Sequence, residues 1–269
     1  IKPKTDFFPP GVNVVFSEID RIDGENNQVF LNDSKVLSYD MLIIATGVRT
    51  VPEETPGLKD KLWYKNIFDF YTVEGAIALQ KFFKSWEGGK LVMAIAEMPF
   101  KCPVAPIEFV CLADWYFTQA GIRDKVDISF VTPLPGAFTK PIATKMLSTL
   151  LEEKNIKVIP EFYIQNVDNE TKELVSYDNQ KVPFDALTIV PVNMGADMIE
   201  NSGLGDDLNF VPTDKETLQS KQFENIFVLG DASNIPTSKA GSVAHFSAEI
   251  LLENLMSYIE GRPMTAKFD

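Results

Sequence analysis

The stretch Asn225-Ile-Phe-Val-Leu-Gly-Asp-Ala232 indicates the fold class of this chain. Its apolar part, Ile226–Leu229, predicts a buried strand that ends on Gly230 and Asp231. Open α/β sheets bind their ligands beyond the carboxyl ends of such strands. There Gly230 would allow a close approach of backbone and ligand, and the Asp231 carboxylate would accept hydrogen bonds from sugar-like hydroxyl groups. A bare strand and turn is the alternative interpretation.

A helix that opens with small residues follows this strand. Ala240, Gly241 and Ser242 begin an amphipathic run that ends at Tyr258. A helix N-terminus presents unpaired N–H groups and the positive end of a dipole. These residues therefore predict contact with an electron-rich or anionic ring edge.

Composition and charge exclude several classes of function. The 269 residues include 25 Lys and Arg against 38 Asp and Glu, a net charge of −13, so we expect no nucleic-acid partner. Two cysteines and one histidine, His245, provide neither a disulfide framework nor a metal site, and we expect no metal. Neither a signal peptide nor a transmembrane segment is visible, which predicts a cytoplasmic or peripheral membrane location.

Two segments of the chain share one pattern, in which a polar turn is followed by an aromatic residue, Asp and an apolar strand. The aromatic-Asp pair occurs as Tyr39-Asp40 and again, 145 residues later, as Phe184-Asp185. This separation is too long for a solenoid repeat and predicts a duplicated domain. Chance similarity of two hairpins is the alternative.

Strands and helices alternate between these two segments. Apolar runs predict strands at Lys90–Ala96 and Val126–Val131 and the start of a third at Val158–Pro160. Helices are predicted at Ile107–Ala120 and Lys140–Lys154. The predicted fold class is therefore α/β, with two Rossmann-like dinucleotide-binding domains of which the first is incomplete.

The turn after the first of these strands lacks the glycines of a dinucleotide site. It reads Glu97-Met-Pro-Phe-Lys-Cys-Pro-Val-Ala-Pro106, where pyrophosphate binding needs G-x-G-x-x-G, so we expect no NAD(P)H binding here. Cys102 lies in this turn beside Lys101, an arrangement that can lower a thiol pKa and favour a nucleophile. A small buried hydrophobe is the alternative for Cys102. Cys111 falls inside the following helix and is expected in the core.

Four motifs resemble one family of flavoproteins. They are Tyr39-Asp-Met-Leu-Ile-Ile-Ala-Thr-Gly47, Lys101-Cys-Pro-Val-Ala-Pro-Ile-Glu-Phe109, Asn225–Ala232 and Pro236-Thr-Ser-Lys-Ala-Gly241. The chain resembles the sulfide:quinone oxidoreductases and the flavoprotein subunit of flavocytochrome c sulfide dehydrogenase, which are two-dinucleotide-fold, FAD-dependent oxidoreductases. The resemblance extends across nearly the whole chain.

The resemblance implies FAD as the cofactor of the intact protein. In this sequence it implies cofactor contacts from Thr46, Gly47, Gly230, Asp231, Lys239, Ala240 and Gly241. Asp231 would bind the ribitol of FAD, and Thr46 and Gly47 would lie near the diphosphate or the strand that covers it. Lys239 would face the pyrimidine edge of the flavin and stabilise its reduced, anionic form.

The resemblance also implies sulfide and a quinone as substrates, with Cys102 and Lys239 as catalytic residues. Family members use a second redox cysteine, which this sequence lacks at Val211 and within Ile67–Glu74. Their N-terminal FAD fingerprint and C-terminal quinone and membrane contacts also lie outside this sequence. The resemblance therefore implies a chain truncated at both ends, which by itself would be inactive and hold FAD weakly. It is compatible with peripheral membrane contact and with a homodimer.

The predicted domains follow from these assignments. Residues 1–50 and 212–269 would form the partial FAD-binding domain, 51–85 a linker and connecting helix, and 86–211 the second, degenerate NAD-type domain. Two other functions stay open: a different flavin oxidoreductase, such as a type II NADH:quinone reductase, and a non-catalytic flavoprotein-like fragment.

Overall fold

Strands and helices alternate in the computed structural model, which describes residues 3–268. The strands are β1 (Ile19–Asp23), β2 (Gln28–Leu31), β3 (Val36–Ser38), β4 (Leu42–Ile44), β5 (Arg49–Val51), β6 (Ile67–Phe68), β7 (Gly89–Ile95), β8 (Val126–Val131), β9 (Ile156–Ile159), β10 (Ile164–Asp168), β11 (Glu173–Ser176), β12 (Lys181–Pro183), β13 (Ala186–Val190), β14 (Val192–Met194) and β15 (Ile226–Val228). The α-helices are α1 (Val73–Ser85), α2 (Ala105–Gln119), α3 (Pro141–Glu153), α4 (Asp197–Asn201) and α5 (Gly241–Ile259). The predicted α/β class is confirmed.

A five-stranded parallel sheet forms the centre of the second domain. Its strand order is β6-β13-β7-β8-β9. Strand β7 is apolar and buried from Leu91 to Ile95, because both faces of the sheet are covered there. Leu91 and Met93 of β7 pack in a core that includes residues of α2, whereas Val92 and Ala94 pack in a second core with residues of β10–β12. The sheet therefore holds the end of β7 rigidly.

The predicted duplication is confirmed by the pairing of two antiparallel sheets. Strands β1-β2-β3 and β10-β11-β12 have the same order and register, displaced by 145 residues. Ile22 pairs with Val29 as Val167 pairs with Leu174, and both registers shift at the same point of the first strand. Each sheet is followed by a strand of a parallel pair, β4 or β13.

The repeat extends to the strand beside β4 and β13. Asn225 precedes β15 and its side-chain amide donates to the carbonyl of Asp40 at 3.1 Å. Asn66 precedes β6 and donates in the same way to the carbonyl of Asp185 at 2.9 Å. The two copies differ on the other side, because β13 also pairs with β7 whereas β4 has no second neighbour among residues 3–268. Ile43 of β4 is consequently 45% exposed.

Residues 196–211 pack with the first domain. Met198 of α4 and Val211 share a buried cluster with Ile44 and Ile226. We therefore propose that the second domain ends near β14, earlier than residue 211, which is the limit predicted from the sequence. The other predicted domain limits stay predictions.

Candidate active site

Two loops that carry predicted site residues lie side by side. The loop after β7 carries Cys102, and the loop between β15 and α5 carries Lys239. Lys101 and Lys239 form a parallel β-bridge. The N–H of Cys102 donates to the carbonyl oxygen of Lys239 at 2.7 Å. The structure thus brings the two predicted catalytic residues together through their backbones.

The Cys102 loop lies where a dinucleotide would bind in a Rossmann-like sheet. The strand order reverses at β7, and the crevice beyond the carboxyl end of that strand is the usual ligand site. Here Phe100 is buried in the core beside α2. Glu97 is exposed at the entrance of the loop. The chain's own loop therefore occupies this region, which favours the prediction of no NAD(P)H binding.

Cys102 itself has an unusual backbone and an accessible side chain. Its φ of 55° lies in the left-handed region, which costs a non-glycine residue about 1–2 kcal/mol. The residue is exposed, and its carbonyl accepts a hydrogen bond from the N–H of Ala105 at the start of α2. Cys102 therefore lies just before α2 rather than in its first turn.

Cys111 has the environment expected of a structural cysteine. It lies in α2 and packs against the core of the second domain. Burial raises the pKa of its thiol, and Lys154 only partly opposes this effect. A raised pKa keeps a thiol in its neutral form, which is a poor nucleophile. Of the two cysteines, Cys102 is exposed, whereas Cys111 is partly buried.

Lys239 is a buried cation. Only 6% of the residue is exposed, and its ammonium donates to the carbonyls of Asp231 at 2.8 Å and Ser233 at 3.0 Å. The ammonium also lies 3.7 Å from the centroid of the Phe210 ring. Burial lowers its pKa to about 8, although Asp231 and Asp206 oppose the shift. Lys239 therefore stabilises the loop between β15 and α5 through these hydrogen bonds. Its contact with a flavin stays a prediction.

The carboxyl ends of β4 and β15 present one edge of the first domain. The N–H of Leu229 donates to the carbonyl of Ile44 at 2.9 Å, so Thr46 and Gly47 follow β4 at the edge where Gly230 follows β15. Gly230 has a φ of 69°, and a Cβ there would lie 3.1 Å from the Cβ of a residue in α5. The backbone consequently turns tightly between strand and helix.

Asp231 and the start of α5 remain open to a ligand. Burial raises the pKa of Asp231, while Lys239 and Lys101 lower it. Within residues 3–268 its carboxylate accepts no hydrogen bond. Ala240 precedes α5 without a side-chain cap, and Gly241 is exposed. A half-buried carboxylate, a glycine turn and an uncapped helix N-terminus suit a flavin with its ribityl chain. The residues present therefore fit FAD.

Two residues of the site escaped the sequence analysis. Tyr71 donates to the carbonyl of Lys101 at 2.9 Å, and Asn193 accepts from the N–H of Lys101 at 3.1 Å. Tyr71 lies within Ile67–Glu74, a segment compared with the family only for its missing cysteine, and Asn193 lies in none of the motifs. No local pattern indicates that either residue contacts Lys101. In the part of the chain that the structure describes, no helix is long and apolar enough to cross a bilayer.

Comparison with known proteins identifies relatives over the full chain. No family model matches. The mitochondrial sulfide:quinone oxidoreductase of Dictyostelium discoideum is 30% identical over all of this chain and 60% of its own length. Its mouse counterpart is 26% identical over 97% of this chain and 59% of its own length. The chain therefore spans about three fifths of the relatives that it matches.

A solved structure agrees with this result at the level of the fold. The crystal structure of sulfide:quinone oxidoreductase from Aquifex aeolicus superposes with a TM-score of 0.77 at 20% identity, over 93% of this chain and 61% of the other. The fold of two Rossmann-like domains is thus confirmed. The resemblance seen in the motifs is confirmed as well: this chain is a relative of the sulfide:quinone oxidoreductases along its whole length.

Proposed function

We propose that the intact protein is an FAD-dependent oxidoreductase that oxidises sulfide and passes the electrons to a quinone. The hydrogen bond between the N–H of Cys102 and the carbonyl of Lys239 carries this proposal, because it joins an accessible thiol to the loop that suits a flavin. The names of the relatives, which are sulfide:quinone oxidoreductases, support the choice of substrates.

Residues of the first domain would hold the cofactor. Asp231 would accept hydrogen bonds from ribityl hydroxyls, and Gly230 would let the chain approach closely. Lys239 and the N-terminus of α5 would place positive charge towards the electron-rich edge of the ring. Bound FAD would act as a two-electron carrier between a sulfur donor and a quinone.

Cys102 would handle the sulfur. Its thiolate and a hydrosulfide ion would form an S–S bond while the S–H bond of hydrosulfide breaks. This step releases one proton and two electrons, for which the quinone is the final oxidant. The exposed side chain of Cys102 makes the thiol accessible to a small anion, and the neighbouring Lys101 favours an anionic reactant. Cys111 is less suited to this part, because it is partly buried against the core and burial raises the pKa of its thiol.

The test compares two cysteine variants of the flavin-loaded protein. We expect Cys102→Ser to lower sulfide-dependent reduction of a short-chain ubiquinone by at least about 100-fold, with FAD content unchanged. The matched control, Cys111→Ser, should keep nearly full activity. Undiminished activity in Cys102→Ser would refute the proposal. Reduction by NADH in place of sulfide would indicate a type II NADH:quinone reductase, and a protein that takes up no flavin would be a non-catalytic fragment.

A further inference from the structure

Tyr71 connects the segment before α1 to the loop that carries Cys102. Its hydroxyl donates to the carbonyl of Lys101 at 2.9 Å and more weakly to that of Cys102 at 3.4 Å. Burial raises the pKa of Tyr71, so the phenol keeps its proton throughout the neutral range and remains a donor. We propose that Tyr71 is a positioning residue that holds Cys102 in its left-handed backbone conformation.

The conformation of Cys102 needs outside support. A φ of 55° is unfavourable for a cysteine, so surrounding contacts must maintain it. Three contacts do so: the N–H of Cys102 donates to Lys239, the N–H of Lys101 donates to buried Asn193, and the carbonyl of Lys101 accepts from Tyr71. These contacts come from three separate parts of the fold, so the loop is held from several sides.

Tyr71 is itself rigidly fixed. Its neighbour Phe70 stacks on Phe109 of α2, with ring centroids 5.0 Å apart and planes at 5°. On the other side, buried Asp69 accepts from the N–H of Thr72 at 2.7 Å. Because the segment around Tyr71 is already ordered, forming the hydrogen bond costs little conformational entropy of the Tyr71 side chain. The hydroxyl can therefore restrain the Cys102 loop.

The ring and the hydroxyl of Tyr71 have separable effects. The ammonium of Lys101 lies 5.7 Å from the centroid of the Tyr71 ring, within the range of a cation–π contact. Tyr71→Phe keeps that ring and removes only the hydrogen bonds. Tyr64 offers a matched control, since its hydroxyl bonds to Asp69 at 2.9 Å and Thr72 at 3.1 Å and, within residues 3–268, makes no hydrogen bond to the Cys102 loop.

Hydrogen exchange provides a readout that does not depend on the proposed function. We expect Tyr71→Phe to speed exchange of the Cys102 amide by about 10-fold, the effect of losing one hydrogen bond. Tyr64→Phe should leave the Cys102 amide unchanged and instead speed exchange at Gly75, in the first turn of α1. Equal exchange of the Cys102 amide in wild type and Tyr71→Phe would overturn the inference.

The role of this position in the reaction rests on the proposed function and is tested by kinetics. We expect Tyr71→Phe to lower kcat for sulfide-dependent quinone reduction by about 10-fold, with the KM for quinone and the FAD content unchanged. Unchanged kcat, in a protein whose Cys102→Ser variant is inactive, would overturn a positioning role in catalysis. If Cys102→Ser keeps its activity, the proposed function fails, and the exchange experiment alone decides whether Tyr71 holds the loop.

Discussion

Single residues at the edge formed by the carboxyl ends of β4 and β15 are constrained by backbone conformation and by burial. Gly230 has a positive φ and lies close to α5, and Lys239 is a cation with little access to solvent. Both properties can be tested in the isolated chain, because they concern the free energy of unfolding and not the reaction.

Gly230→Ala should destabilise the chain by about 1–2 kcal/mol. The left-handed conformation disfavours alanine, and the new Cβ would lie 3.1 Å from the Cβ of Ala244. Gly241→Ala is the control, since its φ is not positive and no atom lies within 4 Å of the added carbon. Urea titration measures the difference. Equal unfolding free energies for both variants would show that Gly230 is free of strain.

Lys239 should make stability depend on pH in the alkaline range. Burial holds its pKa at about 8 in the folded chain, below the usual value of about 10.4 for lysine. Between these values the unfolded chain binds more protons, so the contribution of Lys239 to the free energy of unfolding rises with pH. Between pH 7.5 and 9.5, wild type and the exposed-site control Lys81→Met should therefore gain more stability than Lys239→Met. The same gain in all three proteins would contradict the buried-cation interpretation.

At the scale of elements, the start of α1 is organised by one polar cluster. The Thr72 hydroxyl accepts from the N–H of Gly75 at 3.0 Å and donates to Asp69, which also binds Tyr64. This N-cap fixes the helix directly after Tyr71 and Phe70. The segment from which Tyr71 contacts the Cys102 loop is thus followed directly by a capped helix N-terminus.

Thr72→Ala should lower the free energy of unfolding by about 1–2 kcal/mol, because a capping hydroxyl is lost and one helix N–H is left without its partner. Thr72→Ser keeps the hydroxyl and should change stability by less than about 0.5 kcal/mol. Chemical denaturation followed by circular dichroism gives both values. A serine variant as unstable as the alanine variant would assign the effect to the lost methyl group instead of the cap.

At the scale of the whole molecule, the two copies of the duplicated unit differ in the surroundings of one strand. Strand β13 lies between β6 and β7, whereas β4 pairs only with β15 among the described residues. The corresponding residues Thr188 and Ile43 are 0% and 45% exposed. Two segments with the same register therefore have unequal protection from solvent.

Hydrogen exchange should reveal this inequality. The amides of Leu187 and Leu42 donate to Asn66 and Asn225, so both point to the paired side. The next amide of each strand points to the opposite side, towards β7 in one copy and to the open edge in the other. We expect the amide of Ile43 to exchange at least about 100-fold faster than that of Thr188. Similar rates would mean that the edge of β4 is covered in solution.

Local patterns were sufficient to predict much of this fold. Strand Val126–Val131 has the predicted bounds, and helix α3 lies within one residue of its predicted limits at both ends. Apolar runs and turn residues act over a few neighbours, which is why their positions can be predicted from sequence. The aromatic-Asp pairs revealed the duplication for a related reason, since each pair marks the same hairpin-to-strand junction.

The site combines features that follow from the sequence with features that depend on the tertiary structure. The sequence by itself determined which residue types are available: a cysteine in a loop, a glycine turn with its aspartate, and a helix that starts with small residues. Only the tertiary structure decided that the N–H of Cys102 hydrogen-bonds to Lys239 and that Tyr71 and Asn193 hold the loop between them. It also decided that residues 196–211 pack in the core of the first domain. These contacts join segments separated by tens to more than a hundred residues. The packing of whole sheets decides which residues meet in these contacts, and the local periodicity of the sequence carries no information about that packing.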